Sequence, residues 1–148
     1  MNTEEKAAVL ITALTLLLTM VALTPSASAS SPHGTIQLTK DCSSFSPSNP
    51  ICTVVGVTSG PIPVGTVAYY TILVYTNHEF NAQAVLTTPD GSTATGHVTL
   101  STVTGLGTVT FTAGTLDLAG FHANIAVNCG PGCASITYWD GTYFFTNS

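Results

Sequence analysis

Beyond residue 30 no segment spaces its apolar residues at helical intervals; they recur at every second position, and glycine, proline and Asp-Gly pairs cut the chain into short runs. Alternation of this kind gives a strand one apolar and one polar face. In "TVTFTA", Val109 and Phe111 face one way while Thr108, Thr110 and Thr112 face the other. "FHANIAV" repeats the pattern, with Phe121, Ala123, Ile125 and Val127 set against His122, Asn124 and Asn128.

The same reading makes "GTIQLT" the first strand and "DCSSFSPSNPIC" a Ser/Pro-rich loop, followed by "TVVGV" and the break "SGPIPVG". "TVAYYTILVYT", residues 66–76, is apolar on both faces, which predicts a strand covered on each side. "NAQAVLTT" and "TATGHVTLSTV" flank "PDGS", where Asp-Gly supplies the positive φ that a tight reversal needs. "GLG", "CGPGC" and an Asp-Gly after Trp139 mark further corners. The chain is therefore expected to be all-β, with about eight strands in mostly neighbouring antiparallel order. Such a meander must close into a single antiparallel β-barrel or split into a β-sandwich, because an open sheet leaves unpaired edges. Short sequential hairpins favour the barrel, and the cysteines lie too locally for an immunoglobulin-type sandwich.

Residues 1–29 are of another kind. A short charged start, the apolar run "AAVLITALTLLLTMVAL" and the small-residue pattern Ala27-Ser28-Ala29 read as a secretory signal cleaved after Ala29. The alternative is an uncleaved membrane anchor, and Glu4 and Glu5 beside Lys6 depart from the usual basic start. With the leader removed, residues 30–148 form one domain carrying five acids, one lysine and no arginine. That balance excludes nucleic-acid or anionic-lipid binding through basic contacts, and no membrane association is expected after cleavage. Cys42, Cys52, Cys129 and Cys133 fall in the exported part, where disulfides persist. Of the three pairings, the local ones are favoured, Cys42–Cys52 and Cys129–Cys133, the first closing the loop at residues 42–52. A structural zinc site is the weaker alternative, since "CGPGC" lacks the usual spacing.

"GTVTFTAGTLDLAGFHANIAV" together with the terminal "WDGTYFF" resembles the allene oxide cyclase barrel-like group, related in fold to the plant dirigent proteins. In that group a strand ends in a glycine-marked corner and the next strand rises back along the barrel. Here the corner is "GTLDLAG", with Leu116-Asp117 where the pattern carries a second glycine. The resemblance implies an eight-stranded antiparallel barrel whose interior accepts an apolar small molecule, and in some members a cyclase-like activity.

Candidate ligand-binding residues follow from position. His122 shares a face with Asn124 and would be a proton donor or acceptor if that face looked inward; if it looks outward, Phe121 and Ile125 fill the core instead. Glu79 lies beside His78 in "NHEF", and the two would cooperate only in a loop, because strand neighbours point to opposite faces. Trp139 precedes Asp140-Gly141, read as a turn or bulge that either hangs the indole over a pocket mouth or leaves it in the core. Tyr69 and Tyr70 suit a pocket lining or strand packing. No catalytic residue is assigned, and no cofactor or metal is expected, since hydrolase, zincin, phosphate-loop and EF-hand motifs are absent and the four histidines are scattered.

Three function classes follow. The first is a secreted, disulfide-stapled β-barrel that binds a small apolar ligand without hydrolytic chemistry. The second is a dirigent- or cyclase-like enzyme that holds a reactive substrate in one conformation. The third is a structural or adhesive cell-envelope module, for which self-association into a homo-oligomer is expected.

Overall fold

The computed structural model describes residues 33–147, so the proposed signal segment, residues 1–29, lies outside the described residues. Eight strands follow one another: β1 (His33–Asp41), β2 (Ile51–Ser59), β3 (Val67–Thr76), β4 (Glu79–Thr87), β5 (Thr93–Ser101), β6 (Leu106–Gly114), β7 (Phe121–Asn128) and β8 (Ile136–Phe145). Each pairs antiparallel with its sequence neighbours, and β8 returns to β1, so the sheet closes as a barrel in the order of the chain. The sandwich alternative is thereby set aside. No described helix is long and apolar enough to cross a membrane.

Closure turns the period-two pattern into an inside and an outside. Ile36 and Leu38 of β1, Val109 and Phe111 of β6, and Phe121, Ala123, Ile125 and Val127 of β7 all point into the barrel and are buried. The threonines between Val109 and Phe111 and on either side of them face solvent. Many inward positions on β3, β4 and β5 are small: Ala68, Ala82, Ala84, Ala94 and Gly96. Bulk is concentrated instead in Phe111, Phe121 and Trp139, whose rings contact in sequence at 5.8–5.9 Å.

Two expectations are corrected. β3 is not covered on both faces: Ala68 and Tyr70 are buried, whereas Val67, Tyr69 and Val74 are exposed. Among the described residues nothing lies over the outer surface of β3. A register irregularity between Thr71 and Val74 also exchanges the two faces, so Tyr70 is inward before it, while Leu73 packs on the core and Tyr75 reaches the interior after it. The second correction concerns Asp140-Gly141, which is no turn. β8 runs straight through it, with Asp140 opposite Ala126 and Gly141 opposite Ile125. Glycine is needed there for approach, because a Cβ on residue 141 would lie 2.2 Å from the Asn124 carbonyl oxygen. The Asp-Gly of "PDGS" does turn the chain, with Gly91 at φ 90° between β4 and β5.

Both local disulfides are formed, Cys42–Cys52 and Cys129–Cys133, with Cα atoms 4.4 and 4.6 Å apart. Bonded pairs of this kind belong to an oxidising environment. The zinc alternative falls with them, since no described cysteine is free.

The two glycines give a ranked test. Gly141→Ala forces β7 and β8 apart and is expected to cost about 3 kcal/mol. Gly91→Ala meets nothing in space and carries only the left-handed backbone penalty, about 1–2 kcal/mol. Urea denaturation of the two variants checks the order; equal losses would contradict the packing described for Gly141.

Candidate ligand site

Four loops gather at one end of the barrel: those joining β1 to β2, β3 to β4, β5 to β6 and β7 to β8. Both disulfides lie in this set, and backbone bonds lace the loops together. Cys42 N donates to Ser135 O at 2.6 Å, Cys129 N to Gly105 O at 2.8 Å, Gly132 N to Thr102 O at 3.2 Å and Thr102 N to His78 O at 2.8 Å. Between the first and second loops the link is aromatic, with Phe45 edge-on to Tyr70 at 5.9 Å and to Phe80 at 6.1 Å. The opposite end is filled by buried Ile62 and Leu118, the latter from the short 3-10 turn Leu116–Leu118 between β6 and β7.

Inside the laced rim is a cavity of about 330 Å³, lined mainly by apolar and aromatic side chains, among them Phe45, Phe80, Val98, Leu100, Val127 and Trp139. Trp139 forms its floor, backed by Phe111. A cavity of this size with a few convergent polar groups is the usual form of a small-molecule site.

The polar group that distinguishes it is Lys40. It follows Ile36 and Leu38 on the inward face of β1, and its ammonium or amine is carried into the barrel with only 2% of the residue exposed. Nζ donates a hydrogen bond to the Tyr70 hydroxyl. It also lies 4.0 Å from the centre of the Trp139 ring and 5.2 Å from that of Tyr70, where an aromatic face attracts a cation. Thr137, opposite Lys40 in the β1–β8 register, lines the same cavity. No carboxylate or imidazole does so among the described residues. Asp41 faces away, its carboxylate bound to the Ser43 backbone N–H at 2.8 Å, and that bond lowers its pKa.

Burial without a counter-charge governs the titration of this pair. Desolvation brings the Lys40 pKa down from 10.5 to about 7 and pushes the Tyr70 phenol well above its ordinary value. Near neutral pH much of Lys40 is therefore a free amine, and Tyr70 is a protonated donor. The indole N–H of Trp139 is buried and has no hydrogen-bond partner among the described residues, an uncommon condition for a buried donor.

Of the residues singled out in the sequence, Tyr70 and Trp139 line the cavity and meet at Lys40. The other three are elsewhere. His122 is on the outer face of β7, stacked at 4.9 Å and 5° on Phe144 across the β7–β8 ladder. Tyr69 is on the outer face of β3, 45% exposed. Glu79 is exposed beyond a tight turn in which Asn77 and His78 both take positive φ, and it accepts from the Asn81 amide at 2.7 Å rather than engaging His78. Lys40 is not among the sequence candidates, because "GTIQLT" as a strand ends at Thr39. The signal was present: a lysine two residues beyond Leu38 and four beyond Ile36 falls on the apolar face of that strand.

No family model matches the chain, and neither a curated protein nor a solved structure matches it.

Lys40 makes a signed prediction about pH. A lysine whose pKa falls on folding is protonated more readily in the unfolded chain, so stability rises with pH from about 7 toward the ordinary lysine value. Tyr70 reverses the trend above the ordinary tyrosine value, where only the unfolded chain loses its phenolic proton. The groups set against Lys40 are Tyr70 from β3 with Thr137 and Trp139 from β8, none of which is ordinarily charged below that value. Lys40→Met is therefore expected to stabilise the protein by about 1–3 kcal/mol at about pH 7, with a smaller gain at about pH 9. Urea midpoints of both proteins at the two pH values measure this. A variant equally or less stable than the parent at pH 7 would mean that Lys40 is not desolvated as described.

Proposed function

We propose that the protein is a secreted binding barrel for a small, mainly apolar molecule that carries one polar group to Lys40. The observation that supports this reading is the cavity itself. Its walls are mainly apolar, its rim is held by two disulfides, and among the described residues its one ionisable amine, Lys40, is buried with no carboxylate lining the same cavity. Burying an alkyl chain there contributes about 0.8 kcal/mol per CH2 before the cost of association. A hydrogen-bond acceptor on the same molecule would meet Lys40 and Tyr70.

The Lys40–Tyr70 bond favours a second reading, a cyclase-like enzyme in which the cavity orients a reactive substrate and the pair moves its proton. Kinship with the allene oxide cyclase barrel-like group belongs to this proposal and rests on the corner at residues 114–120 and on "WDGTYFF".

Trp139 is the chain's one tryptophan and forms the cavity floor, so its emission reports occupancy directly. Decanol is expected to change that emission saturably and to add one bound molecule in native mass spectrometry. Val98→Phe, which fills the cavity wall, should weaken binding roughly tenfold, about 1.4 kcal/mol. Emission that does not respond to decanol, or binding that Val98→Phe leaves intact, would reject this pocket as the site.

A further inference from the structure

We propose that Lys40 is a carbonyl-capture residue, whose amine condenses reversibly with the aldehyde head of an apolar molecule seated in the barrel cavity to form a Schiff base. The inference rests on the binding reading above and names the chemical class of the ligand.

Placement is the first reason. The Lys40 side chain lines the cavity, and its nitrogen lies over the Trp139 ring, so a molecule entering head first has its carbonyl brought against that atom. The second reason is the company the amine keeps. Its hydrogen-bond partner is a phenol, not a carboxylate, and every carboxylate of the described chain lies on the outer face, in a loop or at the far end. A lysine serving as a structural cation would have an acid beside it. The third reason is electronic: without such an acid the nitrogen keeps its lone pair near neutral pH, as a carbonyl nucleophile must.

The step balances without any further reactant. The Nζ lone pair attacks the carbonyl carbon, a C–N bond forms, and the carbonyl π electrons move to oxygen. Tyr70, bonded to Nζ, is placed to pass a proton from the new ammonium to that oxygen, giving a neutral carbinolamine. Tyr70 then gives its phenolic proton to the hydroxyl as the nitrogen lone pair expels it as water, and the iminium N–H returns a proton to the phenolate oxygen, which restores Tyr70 and leaves the imine. Amine and aldehyde become imine and water, and nothing is oxidised or reduced. The aromatic face 4.0 Å from Nζ stabilises the protonated imine, which gives the Trp139 ring a role in the product. An apolar cavity that sheds the released water favours the condensed form.

The test uses the full chain with decanal and sodium cyanoborohydride, which reduces an imine to a stable secondary amine. Intact mass shows whether one decyl group is gained, and chymotryptic peptide mapping shows where. The expected result is a single adduct on Lys40, formed at least about tenfold faster than on the terminal amine or on Lys6 if the leader is retained, and suppressed by decanol. Lys40→Met should give no adduct in the cavity. Decanol bound with no adduct at Lys40, or an adduct only on the terminal amine, overturns capture and leaves the binding reading standing. A Lys40 adduct that decanol does not suppress overturns capture within the cavity. Absence of both adduct and decanol binding overturns the two proposals together.

Discussion

The ladder between β1 and β8, which runs unbroken from His33–Phe144 to Asp41–Ile136, is the contact on which the rest of the structure depends. It joins the two ends of the meander, removes the last free edges of the sheet and converts one face of every strand into an interior. It also sets Lys40 opposite Thr137 and Leu38 opposite Trp139, so the chemistry of the cavity is assembled across the closing seam. Pairing between β2 and β3 is far shorter, limited to Ile51–Tyr69, Cys52–Ala68 and Thr53–Val67. At the rim beside that short seam, Phe45 packs on Tyr70 and Phe80.

An interior of this kind tolerates one costly group if the rest of the barrel carries the stability. Lys40 gives up its hydration for one hydrogen bond and two aromatic rings, none of which matches an ion pair. Leucine at the same position would extend the Ile36–Leu38 face without burying an amine, at the loss of the Tyr70 hydrogen bond. The cost of burying the amine is what the proposed carbonyl capture by Lys40 would turn to use. The disulfides and the backbone bonds among the rim loops hold the surrounding walls in position, so the cavity does not collapse around it.

The strand content, the hairpin at "PDGS" and the local cysteine pairs were legible in the sequence because each depends on contacts a few residues apart; the barrel was legible only by the argument that a meander of eight short strands must remove its free edges. Alternation marks a strand, Asp-Gly marks a reversal, and cysteines near one another in the chain pair readily when a loop brings them together. Two of the three residues that meet in the cavity were legible too, since Tyr70 and Trp139 are large aromatics in strands that a barrel must partly bury. Asp140-Gly141 misled for a physical reason. The same dipeptide that turns the chain at Gly91 serves in β8 to admit the backbone of β7, and only the neighbour strand distinguishes the two uses. The β3 register shift could not be read at all, because two apolar faces give no cue to where they exchange.

By itself, then, the sequence pointed to an all-β meander with almost no positive charge and favoured two local cysteine pairs over the other pairings. Those properties are written in nearest-neighbour chemistry: side-chain alternation, turn residues and cysteine spacing. The tertiary structure alone decided which face of each strand is interior and which residues from separate strands meet there. A period of two defines two faces without ranking them, and closure of β8 on β1, in one register, brings Lys40, Tyr70 and Trp139 together while leaving His122, Tyr69 and Glu79 on the surface.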